Sequence, residues 1–231
     1  MSDELAKLAE RHLSSREALP EAIARTLRDA IFEGFFAPEQ RLHQDDIAQK
    51  FGVSRVPVRE ALAKLVTEGL ATQRLNKGIR VAPLSRTDFQ DIMELRLLME
   101  PYALQLSAPH LTTEDFEHAE RTLSEVRSAG VSARAATLHW EFHNRLYARA
   151  GRARLLSQIS QLQFAINRYV LPVWQSVGLS EDWDDSHLAI LDAVRTGDVT
   201  RAAQMTAEQI NEAMDRMLDH LPMKNPPEEP E

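Results

Sequence analysis

The 231-residue sequence predicts a mainly α-helical protein in two parts, and three observations carry that expectation. Apolar residues recur at helical spacing along most of the chain, with glycines as punctuation, while short extended segments are confined to residues 70–84. Charge is divided unevenly: residues 1–85 hold 13 Lys/Arg and 12 Asp/Glu, and the remainder holds 14 and 23. A chain of this length can also bury two separate cores, and the change in pattern falls near Pro83-Leu84-Ser85.

The bulk composition excludes several classes. Hydrophobic residues at 43% and charged residues at 27% are ordinary for a globular protein. No run of 18 apolar residues is present, so no membrane span or membrane partner is expected. The first residues, MSDELAKLAERHLSSREALP, lack the apolar core of a signal peptide. The absence of cysteine removes disulfides and thiolate metal sites, and a cytoplasmic protein is the expectation.

Residues 1–16 read as a polar arm. From Glu17, the positions Leu19, Ile23, Leu27, Ala30 and Ile31 follow helical spacing up to Gly34. A short helix over 44–51 presents Ile47, Ala48 and Phe51 and stops at Gly52. The stretch GVSRVPVREAL then poses a local problem, because proline is poorly tolerated inside a helix and harmless in its first turn. With Ser54 as N-cap, Arg55, Val56 and Pro57 form that turn, and the Ser54 hydroxyl is expected to accept from a free amide. Arg55 and Arg59 then lie one above the other on one face. After Gly69, GLATQRLNKGIRVAPL reads as two short strands about a turn at Leu75-Asn76-Lys77-Gly78.

From Ser85 onward the pattern is wholly helical. Helices are expected at about 86–107, 112–129, 132–150, 152–175, 184–196 and 199–220, with Thr112 and Asp115 resembling a capping box. Pro101 and Pro172 are expected to bend or break their helices. The tail, PMKNPPEEPE, reads as disordered and acidic. The expected domains are therefore an arm (1–16), a first domain of helices and hairpin (17–84), an all-helical second domain (85–221) and a tail (222–231).

Helix, helix, turn, helix and hairpin make a winged helix-turn-helix, whose third helix enters the major groove by its N-terminus. Within residues 50–80, seven basic residues (Lys50, Arg55, Arg59, Lys64, Arg74, Lys77, Arg80) stand against Glu60 and Glu68. Such a local field outweighs the overall net charge of −8 in deciding what the surface attracts. Arg55 and Arg59 can bind guanine O6 and N7 in a fork, Ser54 suits a phosphate, and Lys77-Gly78 at the hairpin tip reaches backbone or minor groove.

These residues also resemble a family. The stretch AIFEGFFAPEQRLHQDDIAQKFGVSRVPVREALAKLVTEGLATQRLNKGIRV is similar to the N-terminal domain of GntR-type bacterial transcription regulators, through Ile-x-x-Gly, Val-Ser-Arg-x-Pro-Val-Arg-Glu-Ala-Leu and Gly-Leu before the wing. Two departures show: Glu39 stands where a glycine follows the proline, and Asp45 where some members carry a DNA-contacting arginine. The DNA contacts that the resemblance implies are Ser54, Arg55, Val56, Pro57, Arg59, Lys77 and Gly78.

The second part resembles the all-helical ligand-sensing domain, called FCD, of the FadR-like subgroup. There a metal site uses Asp-x-x-x-His on one helix, a later His, and another His 22 residues further on. HWEFHNRLY supplies His139 in place of the aspartate and His143 as the histidine; DDSHLAILDAVRTGD supplies His187; the last position is Gln209. His139 and His143 share a helix face and can chelate one ion, which His187 would complete. Imidazole suits zinc, nickel or iron(II). The alternative is a metal-free pocket lined by His and Gln that takes a small organic acid by hydrogen bonds.

Arg96 shares a stripe with Ile92, Met99, Ala103 and Leu106, so it points inward and requires an anionic partner. An internal carboxylate, Glu100 one turn on or another, and the carboxylate of an effector are the two candidates. Arg168 is a weaker candidate of the same kind.

The resulting expectation is a homodimeric regulator, acting as a repressor on an inverted-repeat operator of double-stranded DNA and modulated by a small organic-acid effector held by Arg96, His139, His143, His187 and Gln209. A helical histidine-metal enzyme, a hydrolase or oxygenase, is the alternative. Against it, Glu141 points away from the face shared by His139 and His143, and no Ser-His-Asp set, phosphate-binding glycine loop or His-Glu-x-x-His is present.

Overall fold

The computed structural model describes residues 18–74, 78–179 and 183–220. The expected arm, the expected tail and Lys77 lie outside the described residues. The chain divides into two compact units between Leu84 and Ser85.

The first unit opens with α1 (Leu19–Phe32), whose buried stripe of Ala22, Ile23, Leu27, Ala30 and Ile31 follows from its amphipathic spacing. Helix α2 (Gln44–Phe51) ends at Gly52, which takes the left-handed conformation (φ 65°) that closes a helix. Helix α3 (Arg55–Thr67) follows after three residues. The strands β1 (Ala71–Arg74) and β2 (Gly78–Val81) pair antiparallel, with Ala71 opposite Val81 and Arg74 opposite Gly78. The α1–α2 loop runs along the other edge of β2, where Leu42 N donates to Ile79 O and Val81 N to Gln40 O, both at 2.9 Å. Ile23, Leu27, Phe36, Ile47, Leu62, Leu65 and Leu70 make the core, each contributing about 1.5–3 kcal/mol when fully buried.

Two local details differ from expectation. Ser54 is the N-cap of α3 but makes no side-chain capping bond. The sequence contributes to this: the third helical residue is Pro57, which has no N–H to give, so of the two amides a cap can use only that of Val56 is left. In the turn before α2, Glu39 adopts φ 64°, and it alone among the described non-glycine residues has positive φ.

The second unit is all helical: α4 (Arg86–Ser107), a short 3-10 turn (Ala108–His110) that periodicity did not suggest, α5 (Thr113–Ala129), α6 (Ala133–Tyr147), α7 (Ala153–Val177), α8 (Trp183–Arg195) and α9 (Val199–His220). Ser85 caps α4 by accepting from Asp88 N, and Thr112 and Asp115 form the reciprocal capping box of α5. Pro101 and Pro172 lie inside α4 and α7, and neither interrupts its helix. Helix α5 packs chiefly on α6, and α4 on α9 and α7.

Asp115 ties the α5 start to the α6 end. Its buried carboxylate accepts from Thr112 N and Oγ1 at 2.9 Å, from Arg149 Nε at 3.1 Å, and ion-pairs with Arg145 at 2.9 Å. No described helix is long and apolar enough to cross a membrane.

Candidate functional site

At the tip of α3, Ser54, Arg55, Val56 and Arg59 are exposed, while Pro57 is half-buried. The inward residues Val58, Ala61, Leu62 and Leu65 fix the helix against α1 and α2, which leaves the arginine face to solvent. Val56 is 53% exposed, unusual for a large apolar residue on a helix with a well-formed buried side. Arg59 has no ion pair among the described residues. Arg55 does: its Nε lies 2.6 Å from Asp45 Oδ1 in an ion pair.

The basic stretch is less cationic than a count over residues 50–80 implies. Lys64 pairs with Glu21 of α1, and Arg55 with Asp45, both acidic partners coming from outside that window. Gly78 closes the hairpin with φ 77°, and a Cβ there would lie 3.2 Å from Arg41 Nε, so the wing tip is restricted twice over.

In the helical unit His139, His143 and His187 converge. Each offers one nitrogen, all within 4.8 Å of one another. His139 Nε2 is 3.0 Å from His143 Nε2 and 3.0 Å from His187 Nε2. A site with metal–nitrogen bonds of about 2.0–2.1 Å needs nitrogens about 3 Å apart. His139 and His143 sit one turn apart on α6, and α8 delivers His187.

Hydrogen bonds behind the cluster set the tautomers. His187 Nδ1 donates to Trp183 O at 2.5 Å, which leaves its Nε2 as a lone pair. Tyr147 Oη donates to Glu100 Oε2 at 2.9 Å, so its oxygen receives from His143 Nδ1 at 3.4 Å, and that Nε2 is a lone pair as well. His139 Nδ1 is buried without a hydrogen-bond partner.

Burial pushes all three imidazoles toward the neutral form. For His139 the neighbouring His143, His187 and Arg96 charges act in the same direction, and for His143 those of His187 and Arg96. His187 is lowered to about 4 by burial, against the opposing pull of the Trp183 carbonyl. All three are thus neutral at neutral pH, the form in which an imidazole can hold a metal.

Arg96 is buried, and of its two candidate partners the structure supplies Glu100: Nε donates to Oε1 at 2.6 Å. The guanidinium also lies over the Trp140 ring, 4.6 Å from its centroid. Arg96, Glu100, Tyr147 and His143 therefore form one continuous buried chain of polar contacts ending at the histidine cluster. Arg168 is engaged elsewhere, with Asp88 and Tyr169.

A cavity of about 90 Å³ adjoins the cluster, lined by the three histidines, Arg96, Gln209, Arg216 and all three tryptophans, Trp140, Trp174 and Trp183. Gln209 donates to Ser186 Oγ at 3.1 Å and lies 3.2 Å from His187 Nδ1, on the ring edge opposite Nε2. It backs His187 and does not join the converging nitrogens.

The sequence named the histidines, Arg96 and Gln209 but not the tryptophans or Tyr147, and it named Asp45 as a departure from the family pattern without pairing it to Arg55. Of these, Tyr147 carried a usable signal, being four residues beyond His143 on the same face.

Comparison with known proteins adds independent findings. Residues 19–81 match the model for bacterial regulatory proteins, gntR family, and residues 91–218 match the FCD domain. The Nta operon transcriptional regulator of Aminobacter aminovorans is 30% identical over 186 residues, covering 80% of this chain and 87% of that protein. The HTH-type transcriptional repressor GlaR of Escherichia coli (strain K12) is 28% identical over 198 residues, covering 80% and 90%. Among solved structures, E. coli McbR/YncC superposes with a TM-score of 0.78 at 20% identity, over 88% of this chain and 98% of that one, a likeness of fold.

Proposed function

This chain belongs to the gntR family of bacterial regulatory proteins and carries an FCD domain, and on that footing we propose that its helical unit is a metal-assisted sensor of a small organic acid. The family is one of DNA-binding transcription regulators, which sets the enzyme alternative aside. Glu141 agrees with this, since it turns outward to His118 at 3.2 Å instead of serving as a base beside the histidines.

In this reading Arg55 and Arg59 address base edges in the major groove, while Val56 offers an apolar surface to a thymine methyl. The Ser54 hydroxyl, with no capping bond to make, is available to a phosphate. Pro57 pre-sets the first turn, and Lys77 and Gly78 form the wing contact. Two copies address an inverted repeat. Helix α4 supports their pairing, because Leu95, Leu98 and Tyr102 share one face and Leu98 is 74% exposed.

One observation carries the sensor reading: the three Nε2 atoms converge while hydrogen bonds behind them leave at most one proton to share among them. His139 Nε2, 3.0 Å from both of the others, can turn such a proton toward only one of them, whereas a cation among the three would satisfy every lone pair. The all-imidazole donor set suits zinc, nickel or iron(II). A bound divalent ion would supply Lewis-acid positions for a carboxylate. The cavity has room for about six to nine water-sized groups, at about 10–15 Å³ each, which is the scale of a small organic acid. Its tryptophans give it apolar walls, and Arg96 adds positive charge. Effector binding then favours one state of the regulator only by its difference in affinity between states, and release of a repressed operator is the expected direction.

Elemental analysis of protein purified without chelator tests the proposal. About one equivalent of zinc, nickel or iron is expected, falling sharply in His143→Ala; less than a tenth of an equivalent in the unaltered protein refutes the metal site.

A further inference from the structure

We propose that Asp45 is a specificity-determining residue of the DNA-reading face, acting by holding Arg55 in a fixed pose and by opposing phosphate. Arg55 is the first residue of α3, where the positive end of the helix dipole disfavours a cation. Asp45 stands in the first turn of α2, where the same effect favours an anion, and its Oδ1 lies 2.6 Å from Arg55 Nε in an ion pair. The two side chains are 73% and 62% exposed, so water screens the pair in the free protein. It is not needed to join α2 to α3, because Ile47, Ala48, Phe51, Val58 and Leu62 already do so in the core.

The consequence appears when DNA excludes that water. With the carboxylate at its Nε edge, Arg55 keeps both terminal nitrogens for guanine O6 and N7 and has fewer rotamers left to lose. Displacement of solvent by the duplex also strengthens the pair. The Asp45 carboxylate, meanwhile, repels the phosphates of every sequence alike. Binding is weakened everywhere and restored only where Arg55 meets its base. Asp45 thereby lowers general affinity and raises the ratio of specific to non-specific binding, which is the quantity that selects a site among many competitors.

The inference rests on the placement of Arg55 at base edges, so the experiment separates the two. Asp45→Ala, Arg55→Ala and the double variant are titrated against the duplex that the unaltered protein selects from a random pool, and against a scrambled duplex, at fixed salt. Asp45→Ala is expected to tighten scrambled binding several-fold and to reduce the specific-to-scrambled ratio about tenfold. The double variant should discriminate no worse than Arg55→Ala. An effective Arg55→Ala beside an unchanged ratio for Asp45→Ala overturns the proposal alone. Independent, multiplying losses do the same, since they would mean that Asp45 reads a base by itself. A silent Arg55→Ala removes the proposal and the reading beneath it together.

Discussion

Glu100→Ala probes the buried polar chain at its most enclosed point. The Glu100 side chain is 0% exposed and that of Arg96 6%, and the carboxylate receives both Arg96 Nε at 2.6 Å and Tyr147 Oη at 2.9 Å. Truncation strands a guanidinium in the interior, which costs about 3–5 kcal/mol when one member of a buried ion pair is removed. The Tyr147 hydroxyl also loses its acceptor, a further penalty of about 1–3 kcal/mol that water entering the vacated space partly offsets. A net loss of about 4 kcal/mol, divided by a urea dependence of about 2 kcal/mol/M, lowers the unfolding midpoint by about 2 M. Tryptophan emission is a selective probe, because Trp140, Trp174 and Trp183 all belong to the helical unit. A midpoint shift below about 0.5 M would refute the reasoning. Replacing both partners, Arg96→Met with Glu100→Leu, is expected to recover most of the loss, since exchanging a whole buried pair for apolar groups is often neutral.

Two further perturbations concern stability. Glu39→Gly should stabilise the first unit: it relieves about 1–2 kcal/mol of left-handed strain and gives back about 0.5–1 kcal/mol through glycine's unfolded-state entropy. The melting temperature of that unit should rise by a few degrees, and a fall would show that Glu39 makes a compensating contact. The Asp115 carboxyl is raised by burial, but hydrogen bonds from Thr112 and Arg149 and the charge of Arg145 outweigh this and hold it at about 2, below its ordinary 3.8. A carboxyl depressed by folding contributes fully above its unfolded value. Its contribution should therefore persist above about pH 4 and fade toward pH 2, and Asp115→Asn should lose that part of the acid dependence in a pH series of thermal melts. An unchanged series would contradict the assignment.

Much of the fold was legible because it is written locally. Ser85 and the Thr112–Asp115 box mark helix starts within three residues of their partners, and Gly52 marks an end by its own backbone freedom. The His139–His143 pair and the Arg96–Glu100 pair were legible for the same reason, being one helical turn apart. What escaped depends on register between distant elements. Charge counted in a window could not show that Asp45 and Glu21 would reach into the basic stretch. Nor could spacing show that tryptophans on α6, α7 and α8 would line one cavity, or that Asp115 would receive arginines from the far end of α6 and just beyond it. Ser54 is the instructive miss, since the proline that announced the helix start also removed one of the two amides its cap could have used.

The buried chain from Arg96 to His143 has an electroneutral composition: one guanidinium cancels one carboxylate, and the hydroxyl and imidazole add nothing. A divalent ion arriving alone would leave two uncompensated charges inside a poorly polarisable interior, whereas its arrival together with counter-anions would not. In the proposed sensor, affinities for ion and acid would then be coupled by charge balance, each raising the other by the same factor. A cluster so built would respond to their joint abundance more steeply than to either alone.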